Sequence, residues 1–228
     1  MALSGIILAF DVDGVLVDVN ESYREAIRHT VRHFTHADIS AGAIQDLKNQ
    51  IGWNNDWDVC HHLVRAAGLK SSYEEIVDYF NAIFLGDNGS GLIGRERWLP
   101  LPGLLERLAC KYQPALFTGR THEELNITLS RFAPHFHFDP IIVSDGVLRP
   151  KPAPDGLLRI AELHPGKAIW YVGDAIDDAR SAAAAAVPFI GVAAPSNPRA
   201  ETLATLLAEE GARAVLQDIN QIEQALPS

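Results

Sequence analysis

Residues Ile6 to Val17 read IILAFDVDGVLV, and the meaning of this stretch decides the fold. Ile6 to Phe10 form a short apolar run without polar alternation, as expected of a strand buried on both faces. The run ends on two carboxylates, Asp11 and Asp13, separated by one residue. In a regular strand these would point to opposite sides, so both can serve one site only if the chain leaves extended geometry, which Gly14 permits. The carboxyl edge of a sheet is where open α/β folds build their sites, so the pair reads as chemistry. A solvated strand-to-loop turn is the plain alternative, because Asp and Gly are also frequent there.

The 228 residues, 47% hydrophobic, suffice for a sizeable core in one domain or two. A formal charge of −10, with no cluster of Lys and Arg, argues against a nucleic-acid partner. A small phosphorylated ligand remains compatible with this charge, held by a metal ion and a few local donors. Cys60 and Cys110 form no disulfide framework and are expected to be reduced, within helices. The N-terminus lacks a basic leader and Asp11 interrupts its apolar run, so neither a signal peptide nor a membrane span is expected. The expected location is cytoplasmic, with no membrane partner. Oligomeric state leaves no mark in the sequence.

After the opening strand, Tyr23, Ala26, Ile27, Thr30, Val31 and Phe34 recur at helical intervals. Further helices are predicted over 41–49, 56–67 and 73–85, the second of these capped by Asn55 or Asp56, and no strand signal returns for about eighty residues. From Pro102 strands and helices alternate, which implies a mostly parallel sheet. Strands are predicted at 115–118, 141–144, 168–172, 188–192 and 214–216. The intervening helices are predicted at 103–112, 122–132, 155–163, 176–186, 198–209 and 219–225. The reading is an α/β core, residues 1–17 and 99–228, with an all-helical insert at 18–98.

Other polar groups fall at the same predicted sheet edge as Asp11 and Asp13. Thr118, Gly119 and Arg120 follow the second core strand, Lys151 follows the third, and Gly173-Asp174, with Asp177 and Asp178, follows the fourth. A hydroxyl, a lysine and several carboxylates together can hold a divalent cation, a phosphate and a nucleophile. In this order, Asp11-Val-Asp13-Gly-Val-Leu, Thr118-Gly119, Lys151-Pro152 and Gly173-Asp174-Ala-Ile-Asp177-Asp178 resemble the four motifs of the haloacid dehalogenase-like hydrolases, phosphatase branch. The match covers roughly residues 3–17 and 100–192, and the insert sits where subfamily I members carry a helical cap.

The resemblance implies a Rossmann-like core, Mg²⁺ and an aspartyl-phosphate intermediate, in an enzyme similar to phosphoglycolate phosphatases acting on a small phosphorylated metabolite. Asp11 would be the nucleophile. Asp13 would protonate the leaving oxygen and then activate water, its carbonyl also binding the metal. Asp174 would complete the protein ligands, with Asp178, or Asp177 in its place, near the metal or paired with Lys151. Thr118 and Gly119 would take phosphate oxygens, and Lys151 would neutralise charge. Val15 stands where many members have Thr, and Ala182 to Ala186 replace a Gly-containing stretch; both departures are expected to leave the chemistry intact. A 2-haloacid dehalogenase has no need of the second acid, Asp13. A phosphomutase differs mainly in what attacks the phosphoenzyme, and a non-catalytic binding module fits poorly with a complete acid set.

Two features of the insert are candidates for substrate contact. Arg24 would be a clamp or else a surface ion pair. Asn55, in the loop Trp53-Asn54-Asn55-Asp56-Trp57, would touch substrate or else cap a helix between two core tryptophans. The paired histidines at 29 and 33, 61 and 62, and 135 and 137 lack thiol or carboxylate company at ligand spacing and are read as solvated or packed.

Overall fold

The computed structural model describes residues 5–227; Leu3 and the other positions ahead of Gly5, counted above with the core, lie outside the described residues, as does Ser228. Strand β1 (Ile6–Phe10) is followed by a two-residue strand β2 (Val17–Asp18) and four helices, α1 (Tyr23–Thr35), α2 (Ala41–Lys48), α3 (Asp56–Ala66) and α4 (Tyr73–Leu85). Two 3-10 turns lead to β3 (Arg97–Trp98). The chain then runs α5 (Leu104–Ala109), β4 (Gln113–Phe117), α6 (His122–Phe132), β5 (Ile141–Ile142), α7 (Asp155–Leu163) and β6 (Ala168–Gly173). It closes with α8 (Ile176–Ala184), β7 (Phe189–Val192), α9 (Ala200–Glu209) and β8 (Ala214–Leu216).

Six strands form one sheet in the order β5-β4-β1-β6-β7-β8, with every neighbouring pair parallel. The unbroken apolar run of β1 is explained by its central place, since Ile7, Leu8, Ala9 and Phe10 are all fully buried. Leu8 and Phe10 pack into one apolar cluster and Ile7 and Ala9 into another, as alternation across a strand requires. The chain continues to one side of β1 through β4 and to the other through β6, so the strand order reverses next to β1. That is the point at which a parallel sheet opens a crevice at its carboxyl edge.

The helical segment has its own amphipathic logic. Tyr23, Ile27, Val59, Ile76, Phe80 and Phe84 face inward, and Phe80 and Phe84, fully buried, contribute roughly 1.5–3 kcal/mol each. Ser72 and Glu75 form a capping box at the start of α4, and the Asn55 side chain caps α3. The segment leaves and re-enters through an antiparallel ribbon, β2 with β3, in which Val17 lies opposite Trp98. Periodicity does not reveal this ribbon, because a two-residue strand has no period.

Other boundaries differ for tertiary reasons. β4 begins at Gln113, two residues early, because Gln113 is in register with Ile7 of the central strand. Helix α5 accordingly ends at Ala109, which leaves Cys110 exposed just beyond it while Cys60 is buried in α3, and both are free thiols. The expected terminal helix at 219–225 is a 3-10 turn, Ile219–Gln224. No helix of the described residues is long and apolar enough to cross a membrane.

Candidate active site

The chain leaves β1 in a tight loop in which the amides of Leu16 and Val17 donate to the Val12 carbonyl at 2.8 and 2.9 Å. Gly14 sits there at φ +69°, and a Cβ on it would lie 1.9 Å from Asp174 Oδ2. Only glycine meets both the backbone and the approach. The turn brings Asp11, Asp13 and Asp174 to one cavity of about 90 Å³ beneath the helical segment.

Asp11 is buried and paired with Lys151 Nζ at 3.1 Å, and the same ammonium lies 2.7 Å from Asp178 Oδ1. Burial disfavours the Lys151 charge, yet Asp11 and Asp178 together hold it above the ordinary lysine range. Its Nζ lies over Phe117 and Tyr171, 4.8 and 5.4 Å from the ring centres. Asp178 Oδ1 also accepts from the Tyr171 hydroxyl at 2.8 Å, and its Oδ2 accepts from the Asp174 and Ala175 amides at 3.1 and 3.0 Å. Asp178 is therefore saturated with donors and locks Lys151 against Asp11.

Carboxylate oxygens of Asp11, Asp174 and Asp178 come within 4.8 Å of one another. Burial pushes the Asp11 carboxyl up to about 7, against the pull of Lys151, with Asp178 and Asp13 adding to the rise. Asp174 is pushed well above the carboxylate range by burial and then by Asp178 and Asp11. Three clustered carboxylates against the single charge of Lys151 offer hard oxygen donors that could hold a small divalent cation.

The phosphate-side residues follow β4. Thr118 is buried and its Oγ1 accepts from the Arg120 amide at 3.2 Å, while Gly119 lines the cavity. A Cβ on Gly119 would lie 2.7 Å from Asn54 Nδ2, so the loop of the helical segment reaches down onto this turn. Asp177, at the start of α8, fastens that loop by accepting from the Gly52 and Asn54 amides at 2.8 and 3.1 Å. Asp177 therefore faces the loop rather than the Lys151 cluster. Asn55 Oδ1 accepts from the Trp57 and Asp58 amides, and the residue also borders the cavity. Asn55 thus caps α3, as one of the two expectations has it, and does so at the border of the cavity.

Arg24 lines the same cavity, bonded to Gln45 Oε1 at 3.2 Å and 3.9 Å from Asp56 Oδ1, a carboxylate already paired with Lys48. Its side chain is 13% exposed, so it is a cavity residue rather than a surface ion pair. No histidine belongs to the cluster of Asp11, Asp174 and Asp178. His33 stacks on Tyr79 and His62 packs against Trp53, whereas His29 does have a carboxylate near it, Glu25 at 3.7 Å one helical turn away. Sequence reasoning missed Asn54, the reach of Asp177, and Arg120, whose fully buried guanidinium holds Asp13 Oδ1 through Nε at 2.9 Å and Nη2 at 2.5 Å. Arg120 was visible only as the residue after Thr118-Gly119, and its partner Glu96 carries no local signal at all.

A buried aspartate is held against a lysine at the carboxyl edge of a parallel sheet and roofed by inserted helices, in an α/β fold. The chain belongs to the haloacid dehalogenase-like hydrolase family, whose model matches residues 7–186, and the subfamily I architecture fits. It is 31% identical over 229 residues to an imidazoleglycerol-phosphate dehydratase from Phytophthora nicotianae; the match takes in 94% of this chain, which spans about half, 48%, of that relative's length. Among solved structures it resembles a haloacid dehalogenase-like hydrolase from Bacteroides fragilis, with TM-score 0.74, 19% identity, and 96% and 99% of the two chains covered. A structure from Lactobacillus plantarum described as a phosphoglycolate phosphatase gives TM-score 0.72 and 18% identity, with 96% and 98% covered. At these identities the structural likeness concerns the fold.

Proposed function

We propose that the protein is a Mg²⁺-dependent phosphatase that hydrolyses a small phosphorylated metabolite through a phosphoaspartate on Asp11. The observation that carries this reading is the pair of aspartates at the end of β1, both at one cavity and held by different cations: Asp11 by Lys151 and Asp13 by Arg120. Two separately held carboxylates can divide nucleophile from acid and base. Asp11, Asp174 and the Asp13 carbonyl would hold the metal, which when bound would neutralise phosphate charge, with Asp178 behind them as the partner of Lys151.

Asp11 attacks phosphorus while Lys151 offsets the charge brought together there, and Asp13 delivers a proton to the departing oxygen. Asp13 then accepts a proton from the water that opens the phosphoaspartate. Thr118 and the Gly119 amide face the phosphate oxygens. Arg24, Asn54 and Asn55 meet the organic part, and a cavity of about 90 Å³ favours a small one. The segment at 18–98 acts as a cap that excludes water.

The test is phosphate release from a panel of phosphorylated metabolites and an aryl phosphate, with Mg²⁺ or with chelator. The panel includes phosphoglycolate and imidazoleglycerol phosphate, the compounds named in the relatives. Turnover is expected only with Mg²⁺, abolished in Asp11→Asn, and Asp13→Asn should trap an adduct of roughly 80 Da on the Asp11 peptide. Halide release from 2-chloropropionate without metal would overturn the proposal in favour of a dehalogenase.

A further inference from the structure

Arg120 is the largest of the fully buried side chains among the described residues. A guanidinium out of water is costly unless its donors are met, and its partners come from separate parts of the chain. Asp13 Oδ1 takes Nε and Nη2. Glu96, itself 1% exposed, takes Nη2 at 2.7 Å and Nη1 at 3.2 Å. Thr128 on α6 accepts from Nη1 and donates to Glu96 Oε2 at 2.9 Å. The ring of Tyr23, at the start of α1, lies 5.2 Å from the guanidinium carbon.

The five donors of arginine form a rigid fork, so Arg120 cannot turn away from Glu96 without releasing Asp13. Both bonds to Asp13 fall on Oδ1, which leaves Oδ2 clear of the guanidinium. We propose that Arg120 is the positioning residue of Asp13, fixing its carboxylate through Oδ1, and that Glu96 fixes Arg120 in turn. The proposal rests on the phosphatase reading for the role of Asp13, though not for the geometry.

The location of Glu96 gives the arrangement a second consequence. It directly precedes β3, the strand by which the helical segment returns to the sheet, and Tyr23 belongs to that segment. A shift of the segment that pulls on the β2–β3 ribbon therefore acts on Arg120 and through it on Asp13.

The test uses Arg120→Met combined with Glu96→Gln, which removes both buried charges and leaves neither stranded, together with the single changes Arg120→Lys, which keeps the charge, and Glu96→Gln, which keeps the shape and a hydrogen-bond acceptor. Single-turnover release of the leaving group is measured across phosphomonoesters from p-nitrophenyl to alkyl phosphate. Poor leaving groups need the proton most, so the loss should grow along the series, from near wild-type rates to on the order of 10- to 100-fold. A uniform loss at every leaving group would mean that Arg120 serves the fold alone and would overturn the proposal. The crystal structure of a folded variant supplies a readout independent of turnover: the Asp13 side chain should leave its position or occupy more than one. An unchanged, single Asp13 rotamer would overturn the proposal. Absence of phosphate release by the wild-type protein would instead remove the phosphatase reading, with the rotamer still deciding the positioning role.

Discussion

Replacing Lys151 by methionine keeps an unbranched side chain but removes the ammonium that lies 3.1 Å from Asp11, 2.7 Å from Asp178 and over the Phe117 and Tyr171 rings. Breaking a buried ion pair from one side typically costs about 3–5 kcal/mol, because the remaining charge has no partner. In a chain of this length that lowers the melting temperature by on the order of 6–20 °C near pH 7 with chelator present. The cost should also depend on pH. Buried carboxylates that lose their cation take up a proton rather than stay charged, so the carboxylates of the folded variant bind about one more proton than those of the folded wild type, while the Lys151 proton is lost from folded and unfolded chain alike. Stability then falls with rising pH more steeply in the variant, by about 1.4 kcal/mol per unit. Asp11 is already held up to about 7 in the presence of Lys151, so its own contribution is present in acid and lost as pH rises through neutrality. At pH 5 the deficit of the variant should shrink to roughly 0–2 kcal/mol. Urea or thermal denaturation of both proteins at pH 5, 6 and 7 measures this directly. A deficit that is constant with pH, or larger at pH 5, would refute the argument that uncompensated carboxylates carry the cost.

Asp177→Ala removes the acceptor of the Gly52 and Asn54 amides and should free the loop over the cavity. Hydrogen bonds to a charged group contribute about 1.5–3 kcal/mol, so exchange at these two amides should rise roughly 10- to 100-fold; unchanged protection would show that the loop is held elsewhere. Ala186 closes the Schellman motif of α8 at φ +56°, with the Val187 amide on the Ala182 carbonyl. Ala186→Gly relieves that strain and should stabilise the protein by about 0.5–1 kcal/mol in urea titrations, and a loss of stability would count against the reading of this turn.

What the sequence determined by itself was local and periodic. The uniform apolar run of β1, the alternation of strand and helix after Pro102 and the helical spacing of the insert all act within a few turns of chain, and each appears in the structure close to its expected place. The carboxylates of the site were legible for the same reason, since each stands at the end of a strand or within a few residues beyond it, where a parallel sheet gathers side chains from distant segments at one edge. Long-range pairing was not legible. The β2–β3 ribbon joins residues 17–18 to 97–98, Gln113 is drawn into β4 by its register with Ile7, and Asp177 reaches a loop more than a hundred residues away. Arg120 is the clearest case. A charged residue after a strand reads as solvent-facing, and only the convergence of Asp13, Glu96 and Thr128 makes its complete burial affordable. The types of groups in the site follow from sequence order, whereas their pairing follows from which charges the folded chain shuts away from water together.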